Sequence, residues 1–492
     1  MEFHIPFNVY LQKYRYKYAA LYHAIRDALI DGKLQHGVKL PATRELAMNY
    51  EISRGIVNQV YEMLTAEGYL SSEIGRGTFV TYEAQQKEKN EQSLNCSIRL
   101  SNWGNRITQL NFASLSQTSS RIDKGISQIN FKVGSPDLSS FPFQDWNRCL
   151  HAEIRQLSTE SQAENCNTEG YFPLREAISR HLLKTRGVES NAENIAIVNG
   201  SMQAIALLTQ LLINPKDKVI VENPCYTGIH RAIQTAGGTV LSMDIEKNGI
   251  QSDLKAWPST KLAFLTPSRQ YPTGVVLNLS KRQKILEWAH QNNTWIIEDD
   301  YDSEFRYKGR PIEPLKVLDH KDRVIYIGTF SKTLRPELRI GYVVLPKSLI
   351  RPFKLAKELY ETHATGLMEQ KTLTSFINQG LYDRHLRKMK RLYQNKQQTC
   401  LKLLKQSLSH LFSFIESDAG LHVYGKWLLS DEKYEHFKQK CAVSGVYWAD
   451  STALDIKNQQ NSACFGFSHL SIEQIKLGIK LAAAASENLD SC

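Results

Sequence analysis

From about residue 129 onward, apolar runs of strand length recur, with helix-length amphipathic stretches between several of them. The runs cover 195–198, 218–221, 239–243, 262–265, 294–297, 324–327 and 341–345. Residues 202–212, 227–236 and 280–291 carry helical spacing. This alternation predicts a mainly parallel sheet covered by helices on both faces. Ligands of such sheets collect beyond the carboxyl ends of the strands. After about residue 351 the pattern turns helical and basic, then returns to short strands and a closing helix over 471–485. A smaller α+β lobe is expected there.

A chain of 492 residues exceeds what one hydrophobic core organises. The part before the α/β pattern has a different character. Residues 19–34 set Leu21, Ala24, Ile25, Ala28 and Leu29 at helical spacing. Thr43 is a possible N-cap of a short helix over 43–49. Ser53 caps a third helix, on which Ile56, Val57, Val60, Tyr61 and Leu64 form one stripe. Tyr69-Leu70 and Thr78-Phe79-Val80 read as two strands around the turn Gly75-Arg76-Gly77.

Three helices and a two-stranded wing suffice to read DNA, with the third helix in the major groove and the wing along the backbone or minor groove. The candidate contacts are Arg44, Ser53, Arg54, Asn58, Gly75 and Arg76. Arginines suit phosphates and base edges, and Asn58 lies one turn beyond Arg54 on the same face. Residues 1–80 hold nine Lys/Arg against eight Asp/Glu, so any DNA affinity must come from local placement rather than bulk charge. These stretches, in this order over residues 19–80, resemble the winged helix of the GntR family of bacterial regulators.

Residues 82–128 are polar and weakly periodic, which predicts a linker with one short helix around 103–110. The expected plan is a winged helix-turn-helix over 1–81, a linker over 82–128, a large α/β domain over 129–350 and a small lobe over 351–492.

Gly328-Thr329-Phe330-Ser331-Lys332-Thr333-Leu334 directly follows the apolar run 324–327, and Arg339 lies seven residues after Lys332. A lysine at a strand end, flanked by hydroxyls and an arginine, can form a Schiff base with pyridoxal phosphate while its neighbours hold the phosphate. Ile297-Glu298-Asp299-Asp300-Tyr301 ends another run. A buried carboxylate there can face a pyridine nitrogen, and a tyrosine two residues on shares its side of an extended segment. Asn199-Gly200-Ser201-Met202-Gln203 joins a strand to a helix, where backbone N–H groups and the helix dipole favour a phosphate. Pro224-Cys225-Tyr226 offers an aromatic ring for stacking.

Together these motifs resemble fold-type-I aminotransferases over roughly residues 129–485. Joined to the N-terminal unit, with EDDYDSEF followed by GTFSKTL, they resemble the MocR regulators. The resemblance implies Lys332 on the cofactor, Asp299 on its ring nitrogen, Tyr301 on its phenolic oxygen and Tyr226 stacked on the ring. Ser201, Met202, Thr329 and Arg339 are then implied as phosphate holders. It also implies a domain-swapped homodimer that binds promoter DNA and responds to pyridoxal phosphate or a small amine. A catalytically active aminotransferase carrying a DNA-binding appendage is the alternative.

The sequence departs from that pattern at three positions. Cys464, in Ser-Ala-Cys-Phe-Gly-Phe-Ser, stands where aminotransferases carry a carboxylate-clamping arginine. Gly228 stands where the GABA-responsive member of the group uses another. Arg269 replaces the usual histidine of TPSHQ and is either a relocated anion contact or a structural partner. Arg269 and Cys464 are therefore candidate effector-site residues. Losing bidentate guanidinium–carboxylate pairs predicts sensing rather than efficient transamination of common amino acids.

Composition narrows the classes further. Apolar residues at 42% and charged residues at 23% exclude a largely disordered chain. Eight scattered cysteines form no CxxC pair or zinc spacing, which predicts a reduced compartment and no metal. No secretory leader and no membrane-length apolar run are visible, so a cytoplasmic protein without membrane partners is expected. A net charge of +11 permits a polyanionic partner. The dense basic run over 384–391 reads as the solvated face of an amphipathic helix.

Overall fold

The computed structural model describes residues 4–73, 75–83, 100–110, 128–157, 167–247, 249–251, 257–455, 457 and 460–487. The chain divides into two compact units, Met1–Arg99 and Leu100–Cys492.

In the first unit, α1 (Phe7–Lys13), α2 (Lys17–Ile30), α3 (Thr43–Asn49) and α4 (Arg54–Ala66) precede the hairpin of β1 (Leu70–Glu73) and β2 (Gly77–Val80). Ala20, Leu21, Ala24, Ile25, Ala28 and Leu29 of α2 meet Val57, Val60, Tyr61 and Leu64 of α4 in one core. The period-3.6 stripes of the two helices are what that core requires. Helix α2 stops at Ile30, four residues before the expected end, because Gly32 takes a left-handed φ of +72° and Leu34 turns back to donate to Ala28 O. Ala42, not Thr43, is the N-cap of α3, and the Thr43 hydroxyl instead accepts from Arg54 Nε at 3.3 Å. Ser53 caps α4 as expected, its Oγ accepting from the Ile56 amide at 3.3 Å. Helix α1 has no counterpart among the expected elements. It anchors the N-terminal segment by burying Ile5 and Phe7, and the Ile5 amide donates to Tyr50 Oη.

The second unit opens with α5 (Asn102–Gln109), which matches the helix expected inside the linker. Arg106 Nε donates to Thr235 O at 2.8 Å. Then come β3 (Ile129–Phe131), α6 (Phe143–Leu157) and α7 (Phe172–Arg186). The alternating part follows: β4 (Ile195–Val198), α8 (Ser201–Leu212), β5 (Lys218–Asn223), α9 (Thr227–Ala236), β6 (Thr239–Glu246) and β7 (Gly249–Ile250). It continues with β8 (Leu262–Leu265), α10 (Leu279–Gln291), β9 (Trp295–Asp300), α11 (Leu315–Leu318), β10 (Val324–Thr329) and β11 (Gly341–Val344). Among the described residues these strands make one sheet in the order β4-β11-β10-β9-β8-β5-β6-β7. It is parallel from β10 through β9, β8 and β5 to β6, while β11 runs antiparallel between β10 and β4. Strands buried on both faces, such as β8 with four buried residues out of four, read as unbroken apolar runs for that reason.

The remaining elements are α12 (Lys347–Glu358), α13 (Leu367–Asn378), α14 (Leu381–Leu408), β12 (Phe412–Ile415), β13 (His422–Trp427), α15 (Asp431–Val443), β14 (Val446–Asp450), β15 (Ser462–Gly466) and α16 (Ile472–Ser486). A second sheet runs β12-β13-β15-β14-β3. Strand β3, at the start of the segment expected in the large domain, thus completes the lobe sheet by pairing parallel to β14. Helix α14 buries Leu381, His385, Met389, Tyr393, Lys396, Cys400, Leu404 and Leu408 on one face. Arg384, Arg387, Lys388 and Arg391 stay on the exposed face, as the basic run predicted.

Among the described residues no helix is long and apolar enough to cross a membrane, and no acidic, His or Cys cluster of metal-site geometry occurs. Cys149, Cys225, Cys400, Cys441 and Cys464 are free and buried. Cys96, Cys166 and Cys492 lie outside the described residues, as does most of the expected linker.

Candidate functional site

A cavity of about 940 Å³ opens at the carboxyl ends of β5, β8, β9 and β10. Ser201, Met202, Tyr226, Asp299, Tyr301, Thr329, Lys332 and Arg339 all line it, although they come from five separate stretches of sequence.

Lys332 follows β10 and donates from Nζ to Gly134 O at 3.1 Å. A Cβ at Gly134, which sits at φ +83°, would overlap that amine, so the loop after β3 is glycine where the lysine needs room. Burial pushes the Lys332 amine below its usual range, against the opposing pull of Asp302 and Asp299. A depressed ammonium pKa keeps more of the amine neutral and nucleophilic.

Strand β9 sorts three consecutive carboxylates by face. Glu298 accepts from the Leu315 and Lys316 amides at 2.9 and 3.0 Å. Asp300 binds Arg186 and accepts from Tyr326 Oη, both at 2.6 Å. Asp299, between them, lines the cavity, and its Oδ1 is buried with no hydrogen-bond partner among the described residues. Burial, reinforced by the Asp300 charge, pushes its pKa up to about 7. A buried carboxyl group lining a cavity, with one oxygen left without a partner among the described residues, suits a ring N–H, so the residues fit pyridoxal phosphate.

The end of the cavity at the start of α8 is equally built. Gly200 is the N-cap of α8 at φ +85°, and among the described residues no side-chain cap bond closes that helix start. A Cβ at Gly200 would stand 2.6 Å from Arg339 Nη2. Arg339, itself left-handed at φ +51°, donates to Asn199 O at 2.7 Å. Thr329 Oγ1 accepts from the Ser331 amide at 3.2 Å. Asn199 and Gln203 are held from behind by Glu361, which Lys357 neutralises at 2.5 Å. Sequence reasoning missed this buttress, because more than 150 residues separate Glu361 from the loop it supports and no motif links them. It also missed Gly134 and the buried Glu222, which lines the cavity and accepts from Thr266 N and Oγ1. For Gly134 the only local signal is a glycine among Val133, Ser135 and Pro136.

Tyr226 caps α9 and meets Tyr271 edge-on, with centroids 6.3 Å apart. Any Cβ at Gly228 would collide with the Tyr226 ring and stand 2.6 Å from Met202 Sδ, so an arginine there is incompatible with this ring position. Neither Arg269 nor Cys464 is among the described residues lining the cavity. Arg269 is buried in an ion pair with Asp302 at 3.0 Å. Cys464 lies in β15 opposite Tyr424 and Ala449, and burial pushes its thiol up to about 12.

In the first unit, Arg44 on α3, Ser53, Arg54 and Asn58 at the start of α4, and Gly75 and Arg76 at the wing tip are all exposed. Arg76 pairs with Glu73 at 3.0 Å, an exposed contact worth roughly 0–1 kcal/mol and easily exchanged for a phosphate.

Fold and motif order define a winged helix followed by an aminotransferase-like body. The sequence profile of aminotransferase class I and II matches residues 126–460, and that of the bacterial regulatory proteins of the gntR family matches residues 17–80. The probable rhizopine catabolism regulatory protein MocR of Rhizobium meliloti is 34% identical over 84% of this chain and 82% of its own. The HTH-type pyridoxine biosynthesis transcriptional regulator PdxR of Corynebacterium glutamicum is 28% identical over 90% of each chain. The crystal structure of a kynurenine aminotransferase from Pyrococcus horikoshii superposes with a TM-score of 0.72 at 24% identity, over 80% of this chain and 97% of that one. The chain belongs to the class I and II aminotransferase family and, through its GntR-type winged helix, to the MocR-type transcriptional regulators within it.

Proposed function

We propose that this protein holds pyridoxal phosphate in the cavity of its aminotransferase-like body and uses that site to control promoter binding by its winged helix. The observation that carries the reading is the buried Asp299, its Oδ1 without a partner among the described residues, lining the same cavity as the depressed amine of Lys332. Lys332 would hold the cofactor covalently, Tyr301 its phenolic oxygen and Tyr226 one ring face. Ser201, Met202, Thr329 and Arg339 would hold its phosphate. When bound, pyridoxal phosphate supplies an electrophilic carbon and an electron-withdrawing ring.

The chain's own groups prepare that binding. Asp299 keeps its proton up to about pH 7 and can pass it to a basic ring nitrogen, becoming the counter-charge. The start of α8 offers backbone N–H groups and the positive end of its dipole, and Arg339 adds a full charge. Tyr226 and Tyr271 meet edge-on and form part of the cavity wall.

Sensing is favoured over turnover by Cys464 and Gly228, which leave the carboxylate of an α-amino acid without either expected arginine. The signal is pyridoxal phosphate itself or a small amine. The names of PdxR and MocR, which point to pyridoxine biosynthesis and rhizopine catabolism, support that pair of classes. The working unit is a domain-swapped homodimer in the cytoplasm, with domain limits near residues 81, 128 and 350. DNA contacts come from Arg44, Ser53, Arg54, Asn58, Gly75 and Arg76. An active aminotransferase is the second reading; Lys332, Asp299 and Tyr301 line the cavity in either case and do not discriminate the two.

The test is borohydride fixation of the protein loaded with pyridoxal phosphate, followed by peptide mapping. The adduct is expected on Lys332 and is lost in Lys332→Ala. An equal adduct retained on another lysine overturns the assignment.

A further inference from the structure

Arg269 is a buried cation beside the cavity to which the proposed function gives no task. It is 4% exposed and engages four N–H donors of the five a guanidinium carries. Nε donates to Ala419 O at 3.1 Å and Nη2 to His422 O at 3.3 Å. Nη1 donates to Asp302 Oδ2 at 3.0 Å and to Tyr301 Oη at 2.7 Å. Gly420 makes the room: a Cβ there would overlap the guanidinium, and its φ of +91° disfavours any other residue.

A phenol has one proton to give. While Arg269 donates to Tyr301 Oη, the Tyr301 proton must point elsewhere, and Tyr301 lines the cavity. Among the described residues, the ionisable groups that act most on Tyr301 are Arg269, Asp302 and Tyr271. Asp302 is drawn to Arg269 by its ion pair, and Tyr271 meets the Tyr301 ring edge-on at 5.6 Å.

We infer that Arg269 is a positioning residue for Tyr301: it fixes the phenol oxygen as an acceptor and frees the phenol proton for the cavity. On the pyridoxal-phosphate reading, on which this rests, that proton is the one offered to the cofactor's phenolic oxygen. Because Arg269 also grips the backbone of Ala419 and His422, it ties the Tyr301 orientation to the small lobe.

The test uses the full-length protein loaded with pyridoxal phosphate, reading the pH at which its visible band titrates. Wild type, R269K, Y301F and the double variant are compared. A weaker donor at Arg269 lets the Tyr301 proton turn away, which leaves the phenolic oxygen less stabilised. The R269K midpoint is expected to rise by about one pH unit, tenfold in proton affinity. In the Y301F background the same substitution is expected to add nothing. A shift of equal size in both backgrounds, or none in either, overturns the inference. G420A, which crowds the guanidinium from the lobe side, is expected to raise the midpoint too, and an unchanged midpoint there also counts against it. If the wild type takes up no cofactor, the parent reading falls and this inference falls with it. A wild-type band insensitive to R269K overturns this inference alone.

Discussion

Asp299 is a carboxylate whose cost changes with what stands next to it. Without the cofactor its raised pKa penalises the folded state, because the unfolded chain ionises it at the ordinary value of 3.8 and the folded chain only near 7. Below the lower value both states hold the proton and the penalty is absent. It grows as pH rises between the two and is complete above about 7. Asp299→Asn is therefore expected to raise the melting temperature of the cofactor-free protein at pH 8 and to leave it nearly unchanged near pH 4. The same variant is expected to bind pyridoxal phosphate more weakly. A melting temperature lowered equally at both pH values would show that the carboxylate is structural. Asp299, Tyr301 and Lys332 were readable in sequence because each belongs to a short motif at a strand end. Glu361, Glu222 and Gly134 were not, because their partners lie far away in the chain.

Helices and strands were readable where burial is one-sided or complete. Strands β4 and β8 and helix α9 fall on their expected limits, since unbroken apolar runs and a glycine stop at Gly237 leave little choice. The end of α2 was not readable, because its apolar spacing continues to Leu34 while the backbone turns at Gly32. Helix α1 was missed because seven residues, FNVYLQK, are too short to display a period. The start of α4 carries the prediction at this scale. Arg54→Ala, measured by gel shift across a salt series on a promoter fragment, separates two roles. Loss of a phosphate contact weakens all sequences and lowers the salt slope by about one, whereas loss of a base contact costs about 1–3 kcal/mol at one position. Wild-type affinity in the Arg44→Ala/Arg54→Ala double variant would remove α3 and α4 from the interface.

For the molecule as a whole, the question is whether the cavity and the winged helix share one equilibrium. A ligand shifts DNA binding only by the difference in its affinity for the two states. Promoter affinity is therefore expected to differ between cofactor-free and pyridoxal-phosphate-loaded protein, with candidate amines moving it further. One affinity for every form, together with steady transamination of a common amino acid, would favour the active aminotransferase. The two-unit plan was legible because each unit carries its own motif order. The allocation of β3 to the lobe sheet was not, because three residues of strand do not say which sheet they join.

Helix α5 changes where this chain can be divided. By composition it belongs to the connector, yet Arg106 satisfies the Thr235 carbonyl in the last turn of α9, a group that otherwise needs water or another donor. A cation at that helix end also meets the negative pole of the dipole. The natural seam for dissection or domain exchange thus lies before Leu100 rather than at the first strand. A body grafted from Leu100 keeps this bond, and one grafted from Ile129 loses the Arg106 donor to Thr235 O.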